Sequence, residues 1–288
     1  MPELAEIKLT AEYINQSAKD LIFTEVIKNP AHKGAEIKIP FTKFQLHAES
    51  RGKEIVLYIL EVGDIDHIPI RMSMGMSGHF KLTKTGAEPK HSHLQFKTIN
   101  NYTLNFVDVR RFGKWKVGET WSENRGPCPV AEHDAFIGNI LENLDRRIFD
   151  KPLMEIMMDQ KYFNGIGNYL RAEILYRLPH VNPFQPARVA LENEPEIFKL
   201  CREIPELAYV LGGGRLKSWE NPLGEAVDLS KPKQQLFQCY GNSQMNKIKD
   251  KTGRTFWYDP KWDGIDLNTE WDYYSGLPNP KAYENINS

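Results

Sequence analysis

The sequence predicts an α+β chain in which a strand-rich half precedes a helix-rich half, and three patterns carry that prediction. Leu4, Ile7, Ala11, Ile14, Ala18 and Leu21 step by three and four residues, one apolar stripe along a first helix. From 23 to 117 the pattern changes to short strands: Ile55-Val56-Leu57-Tyr58-Ile59-Leu60 is a buried-type run, and Tyr102, Leu104 and Phe106 alternate with Thr103, Asn105 and Val107. Helical spacing then returns beyond His133.

Taken in order, Pro2 suits a first helical position, and Glu3 and Glu6 sit in the first turn, where the helix dipole favours carboxylates. Breaks at Gly78, Gly86 and Asn100-Asn101 between strands point to an antiparallel sandwich over 1–120. His91 and His93 share one face of a strand, but a metal needs at least a third ligand and none is evident nearby, so they read as structural. Gly126, Pro127 and Pro129 mark a linker over 121–130. Helices are expected at 133–148, 152–159, 166–178, 186–193 and 195–209, within a helical domain spanning 131–238 that ends in a Gly-rich loop from Leu211 to Lys231. Lys251-Thr252-Gly253-Arg254 before Thr255-Phe256-Trp257-Tyr258 reads as a hairpin turning at Thr252-Gly253, inside a unit of 239–262. The tail, 263–288, has no strong pattern, although Trp262, Trp271, Tyr273 and Tyr274 offer rings to pack back.

At 288 residues the chain has room for about two domains. A net charge of −1 argues against a uniformly basic nucleic-acid binder, yet charge is unevenly spread. Lys231, Lys233, Lys247, Lys249, Lys251, Arg254 and Lys261 are opposed only by Asp250 and Asp259. Cys128, Cys201 and Cys239 are odd in number and far apart, which excludes a disulfide framework and paired metal spacing and predicts reduced, intracellular thiols. No apolar run approaches the roughly 18 residues of a membrane span and no signal sequence opens the chain, so a soluble protein without a membrane partner is expected.

Asn164-Gly165-Ile166-Gly167-Asn168 favours turns, and Leu170, Ile174 and Leu178 then resume helical spacing. A glycine turn feeding a helix N-terminus suits a phosphate oxygen, although a tight helical hairpin without a ligand reads the same way. The flanks decide between them. Tyr162 to Glu173, YFNGIGNYLRAE, resembles the helix-two-turns-helix signature of the formamidopyrimidine-DNA glycosylase and endonuclease VIII family. Further markers follow in the same order: Met1-Pro2-Glu3, Arg51-Gly52-Lys53-Glu54, Gly75-Met76-Ser77-Gly78, Asp108-Val109-Arg110-Arg111-Phe112-Gly113 and Gly253-Arg254-Thr255. The chain closely resembles the vertebrate and giant-virus-type endonuclease VIII-like branch. It departs from the wider family in having no cysteine after Cys239, where many relatives place four zinc ligands, and in having Ala5 where proline is usual. The resemblance therefore implies a zincless finger, with aromatic packing in place of metal, and no cofactor.

The resemblance implies a bifunctional glycosylase and abasic-site lyase acting on damaged DNA, duplex or single-stranded, as a monomer, and in the nucleus if the source is eukaryotic. Loss of Met1 would expose Pro2 as a secondary amine, and α-amines titrate near pH 7.7 to 8, so a useful fraction is nucleophilic. Attack on a sugar C1′ gives an iminium that cannot lose its charge by N-deprotonation and so acts as an electron sink. Glu3 is the expected proton shuttle, with Glu6 helping to position protons. By resemblance Lys53 contacts phosphate and the active site, Asn168 and Arg254 grip the backbone, and Met76, Arg110 and Phe112 fill the hole left by an extruded nucleotide. Arg111 is expected to brace that loop and Asn168 to cap its helix. Without the resemblance, Lys53 reads as a solvated loop lysine and Met76 and Phe112 as core residues. Two other functions fit parts of the pattern: an inert nucleic-acid binding module that keeps the hairpin, and an N-terminal-proline enzyme for small molecules.

Overall fold

Glu3 starts the first helix by a reciprocal capping box in which its side chain meets the Glu6 N–H while Glu6 accepts from the Glu3 N–H at 2.7 Å. The helix, α1 (Leu4–Ala18), therefore begins two residues after Pro2, which lies before the cap and not at the first helical position expected for it. The computed structural model describes residues 2–214, 219–224 and 235–264. Lys231, Lys233, positions 215–218 and 225–231 of the Gly-rich loop and the tail beyond Gly264 lie outside the described residues. The chain divides into two compact units, one of Met1–Glu123 with Tyr209–Leu229 and one of Asn124–Ala208 with Ser230–Ser288.

In the first unit eight antiparallel strands follow α1: β1 (Phe23–Lys28), β2 (Phe44–Arg51), β3 (Glu54–Glu61), β4 (His67–Ser73), β5 (His79–Lys84), β6 (Ser92–Thr98), β7 (Tyr102–Val107) and β8 (Lys114–Val117). Their order is β5-β7-β6-β1-β2-β3-β4-β8, and the two halves meet where Phe23 of β1 faces Phe44 of β2. Phe106 on β7 and Trp115 on β8 stand 6.2 Å apart ring to ring. Six strand spacings would separate them by roughly 29 Å in a flat sheet. The sheet is therefore folded over on itself, and the expected sandwich is present. Phe80, Leu94, Phe96 and Leu104 from one half share a core with Leu46, Ile55, Leu57 and Ile70 from the other. Ile7, Ala11, Ile14 and Ala18 bring the stripe of α1 onto the same core, and Asn15 docks the helix by exchanging two hydrogen bonds with the Ala48 backbone, at 2.9 and 2.7 Å.

His91 lies just outside β6, so the two histidines do not share a strand face. His93 is buried, with Nε2 2.9 Å from the Asp108 carbonyl. Its ring lies 4.9 Å from that of His32, which burial and the His93 charge hold below the usual histidine value.

The second unit contains α2 (His133–Leu141), a 3₁₀ turn (Arg147–Asp150), α3 (Leu153–Ile156), α4 (Asn168–Tyr176), α5 (Ala187–Asn193) and α6 (Glu196–Val210), whose last residues pass into the first unit. Phe136 holds α2 edge-on against Phe163, at 5.7 Å, and Phe198, at 6.1 Å. The turn before α4 is fastened by side chains. Gln160 accepts from the Gly165 N–H and donates to the Ile166 carbonyl, at 3.1 and 2.9 Å, while the buried Asn164 amide donates to the Gly126 carbonyl at 2.8 Å. Gly165, at φ +103°, makes the reversal that a side chain would strain. A hairpin of β9 (Asn246–Lys249) and β10 (Thr255–Tyr258) closes the unit.

Candidate active site

In the first unit Pro2, Glu3 and Glu6 are all buried at the start of α1. Glu6 uses both oxygens: Oε2 accepts from the Glu3 N–H at 2.7 Å and Oε1 from the Gly214 N–H at 2.6 Å. The Gly-rich turn is thus held directly against the chain's first residues. A second anchor lies further along α1, where the Tyr209 hydroxyl donates to Glu12 at 2.8 Å and Lys8 sits 4.1 Å from the Tyr209 ring centre. Burial, followed by the Glu12 hydrogen bond, pushes the Tyr209 phenol up to about 12, so it remains a donor.

Lys53 lies in the two-residue turn between β2 and β3, made possible by Gly52 at φ +56°. It is only 7% exposed, which removes the solvated-loop account. A long cationic side chain is rarely enclosed so far without a task.

Met76 and Phe112 are 36% and 51% exposed, so neither is a core residue. The Arg110 guanidinium lies 4.8 Å from the Phe112 ring centre. Their loops are one structure because Asp108 joins them: it accepts from the Ser77 hydroxyl, from the Arg110 N–H at 3.2 Å and from the Gly113 N–H at 2.7 Å. Gly75, at φ +60°, lets the first loop lie against the second; a Cβ there would stand 2.6 Å from the Phe112 carbonyl carbon. Arg111, itself at φ +55°, reaches the Ala31 carbonyl at 3.5 Å. Beside these loops a cavity of about 610 Å³ is lined by Lys33, Arg110, Arg111, Lys114 and Lys116, with no carboxylate on its wall among the described residues. The balance of charge there is strongly positive in a nearly neutral protein.

In the second unit Asn168 and Arg254 are parts of one joint. Gly167 is the N-cap of α4, and Asn168 is its first residue, so the expected capping role is corrected. From that position the Asn168 amide reaches across to the hairpin, donating to the Thr255 carbonyl at 2.8 Å and accepting from Arg171 at 2.6 Å. Arg171 is fully buried, donates to the Met154 carbonyl and pairs with Asp250, each at 2.8 Å. Asp250 in turn shapes the hairpin turn, accepting from the Thr252 and Arg254 N–H groups at 2.9 and 3.0 Å. This leaves Arg254 at the turn, with its guanidinium 2.8 Å from the Thr252 hydroxyl. Phe184 packs edge-on against Phe256 and Tyr258, at 6.2 and 5.0 Å, so rings hold the hairpin to the unit. Among the described residues no group of three or more His, Cys, Asp or Glu side chains suits a metal ion.

Residues 1–115 match the family model for the formamidopyrimidine-DNA glycosylase N-terminal domain, and residues 233–261 match that for the DNA-binding part of endonuclease VIII-like 1. The human protein endonuclease 8-like 1 is 34% identical over 287 residues, covering 90% of this chain and 72% of the relative. The chain belongs to the formamidopyrimidine-DNA glycosylase and endonuclease VIII family. Mouse endonuclease 8-like 1 is 36% identical with the same coverage. The family fold is seen in MutM from Thermus thermophilus, with a TM-score of 0.73 at 23% identity, covering 92% of this chain and all of that one. Lactococcus lactis Fpg, solved with DNA containing an N7-benzyl-Fapy-dG, scores 0.71 at 22% identity with the same coverage.

Within this family member, Asp108, Arg171, Asp250 and Gly214 are the residues that sequence reasoning left without a role. Asp108 and Arg171 stand inside the quoted motifs, whereas the Arg171 and Asp250 pair spans 79 positions and left no local signal.

Proposed function

We propose that this chain excises oxidised bases, pyrimidines above all, and then cuts the strand by β,δ-elimination, with Pro2 as the covalent partner of the sugar. Family membership makes it a DNA glycosylase of base-excision repair with abasic-site lyase activity. The observation that best supports the assignment of residues is the N-terminus, where Pro2 and Glu3 are buried side by side in a terminus fixed by its capping box. With Met1 removed, the Pro2 nitrogen attacks C1′ and the C1′–base bond breaks, Glu3 delivering a proton to the departing base. Ring opening leaves a cationic iminium at C1′. Loss of a C2′ proton sends its electron pair toward the iminium and expels the 3′ phosphate. A second elimination expels the 5′ phosphate, leaving a one-nucleotide gap.

In this proposal residues 1–120 form the catalytic domain and 131–238 the helical domain, with 239–262 as the zincless finger. Lys53, Asn168 and Arg254 hold phosphates, and this sequence-independent grip weakens with salt. Met76, Arg110 and Phe112 occupy the space of the extruded nucleotide, which their exposure permits. The enzyme works in the compartment that holds DNA, the nucleus in a eukaryote.

Borohydride trapping tests the reading. Incubation with an abasic-site duplex and borohydride yields a covalent adduct, and Pro2→Thr yields at least tenfold less. Wild type that binds the duplex yet traps nothing is an inert binding module, and the proposal fails.

A further inference from the structure

Strand register orders the loops at one end of the first sheet. Ile55 pairs with Met72 and Met72 with Trp115, so the Lys53 turn, the Met76 loop and the Arg110–Phe112 loop meet β3, β4 and β8 at the same end. β8 is the last strand of the sheet, two strand spacings or about 10 Å from β3. Side chains alternate along it: Trp115 is buried, whereas Lys114 and Lys116 face outward. Trp115 also holds the segment before β2 in place. Its Nε1 donates to the Ala35 carbonyl at 2.8 Å, and Gly34 lies so flat on the indole that a Cβ would stand 2.3 Å from the ring. Lys33 is thereby fixed near the two lysines of β8, and with Arg110 and Arg111 they line the cavity of about 610 Å³.

Lys116 shares its charge with Glu119 at 3.2 Å, but Lys33 and Lys114 are exposed and form no ion pair among the described residues. Cations gathered around one cavity without a carboxylate on its wall repel one another, and an anionic ligand relieves that repulsion. Arg110 belongs both to this wall and to the contact with Phe112, so the cavity adjoins the side chains assigned to the extruded nucleotide's place. Those side chains face the orphaned partner base, while Lys53 holds the damaged strand. The cavity lies beyond them along the sheet, on the side away from Lys53. A separation of about 10 Å is the scale of a duplex groove, roughly 6 to 12 Å wide. We propose that the cavity beside β8 holds phosphates of the strand opposite the lesion, through Lys33 and Lys114. Its ligand is a deoxyribose–phosphate backbone, and the grip favours duplex over single-stranded substrate. This inference rests on the glycosylase reading and extends it to the undamaged strand.

Fluorescence anisotropy titrations on two probes test it: a duplex carrying a stable abasic analogue, and the lesion-bearing strand alone. Affinity is measured between about 50 and 200 mM salt, and the slope of log affinity against log salt is read. Each phosphate contact on duplex DNA contributes about 0.9 to that slope. Lys33→Ala combined with Lys114→Ala therefore lowers it by about 1.8 on the duplex and leaves the single strand unchanged. Lys33→Arg combined with Lys114→Arg keeps the wild-type slope on both probes, since charge and reach persist. A duplex slope that falls by less than about one contact's worth overturns the inference. So does an equal fall on both probes, which would put the cavity on the damaged strand. Borohydride trapping keeps the two failures distinct. The double alanine variant traps an abasic duplex as fully as wild type once enzyme is saturating, whereas a wild type that traps none overturns the glycosylase reading instead.

Discussion

Replacing Arg171 by methionine probes the joint between α4 and the hairpin. Methionine keeps much of the volume but none of the donors to the Met154 carbonyl, Asn168 and Asp250, at 2.8, 2.6 and 2.8 Å. It also removes a cation 5.0 Å from the Phe256 ring centre. The larger effect falls on Asp250, whose side chain is 4% exposed and would remain buried without its partner. Removing one member of a buried pair costs about 3–5 kcal/mol. At roughly 2–4 °C per kcal/mol for bodies of about 150–250 residues, the melting temperature falls by roughly 6–20 °C. Thermal unfolding followed by circular dichroism measures this, and Arg171→Met combined with Asp250→Leu recovers part of the loss because no charge is then stranded.

Acid reports on the same pair. Burial alone would raise the Asp250 carboxyl, but the Thr252 and Arg171 hydrogen bonds and the Arg254 N–H outweigh it and hold the group below its usual value. A depressed carboxyl contributes stability above its unfolded value and loses that contribution as pH falls through the folded one. The difference between wild type and Arg171→Met is therefore constant near neutrality and narrows below about pH 4. Equal melting temperatures, or a double variant no better than the single one, would refute the reasoning.

Two further outcomes follow from the loops. Gly75→Ala forces a side chain into φ +60° against the Phe112 backbone at 2.6 Å, so it separates the paired loops. A cost of about 1–3 kcal/mol is expected, with lesion excision reduced in single-turnover assays while secondary structure persists. Arg254→Ala leaves the hairpin paired but lowers DNA affinity, and it reduces the slope of log affinity against log salt by about one; an unchanged slope in fluorescence anisotropy titrations removes Arg254 from the phosphate contacts.

Local patterns made much of the fold legible. The apolar run at 55–60 and the alternation at 102–107 located β3 and β7, and helical spacing located α1, α4, α5 and α6 to within three residues. Helix α2 is shorter than its apolar pattern because Leu141 is followed by a turn that carries the chain into the 3₁₀ segment. Long-range partnership was not legible. Asn168 looks like a cap in sequence, yet its amide bonds a carbonyl 87 positions away, and no nearby residue reports that. Lys53 has the sequence setting of a solvated turn, and its burial depends on the packing around it. Glu6 and Gly214 meet across 208 positions, so the loop's anchor was invisible while the loop itself was plain.

The three thiols have a chemical consequence. Cys128, Cys201 and Cys239 are all buried and unpaired, and burial pushes Cys201 and Cys239 far above the ordinary thiol range, with Glu173 adding to the effect at Cys239. Peroxide reacts with thiolates; Cys201 and Cys239 are kept protonated, and all three sulfurs are screened from solvent. The hairpin, built on stacked rings, exposes no sulfur ligands to oxidation either. Oxidants that need an accessible thiolate thus leave these three cysteines largely untouched, whereas the exposed Met76 thioether remains within reach of oxidation.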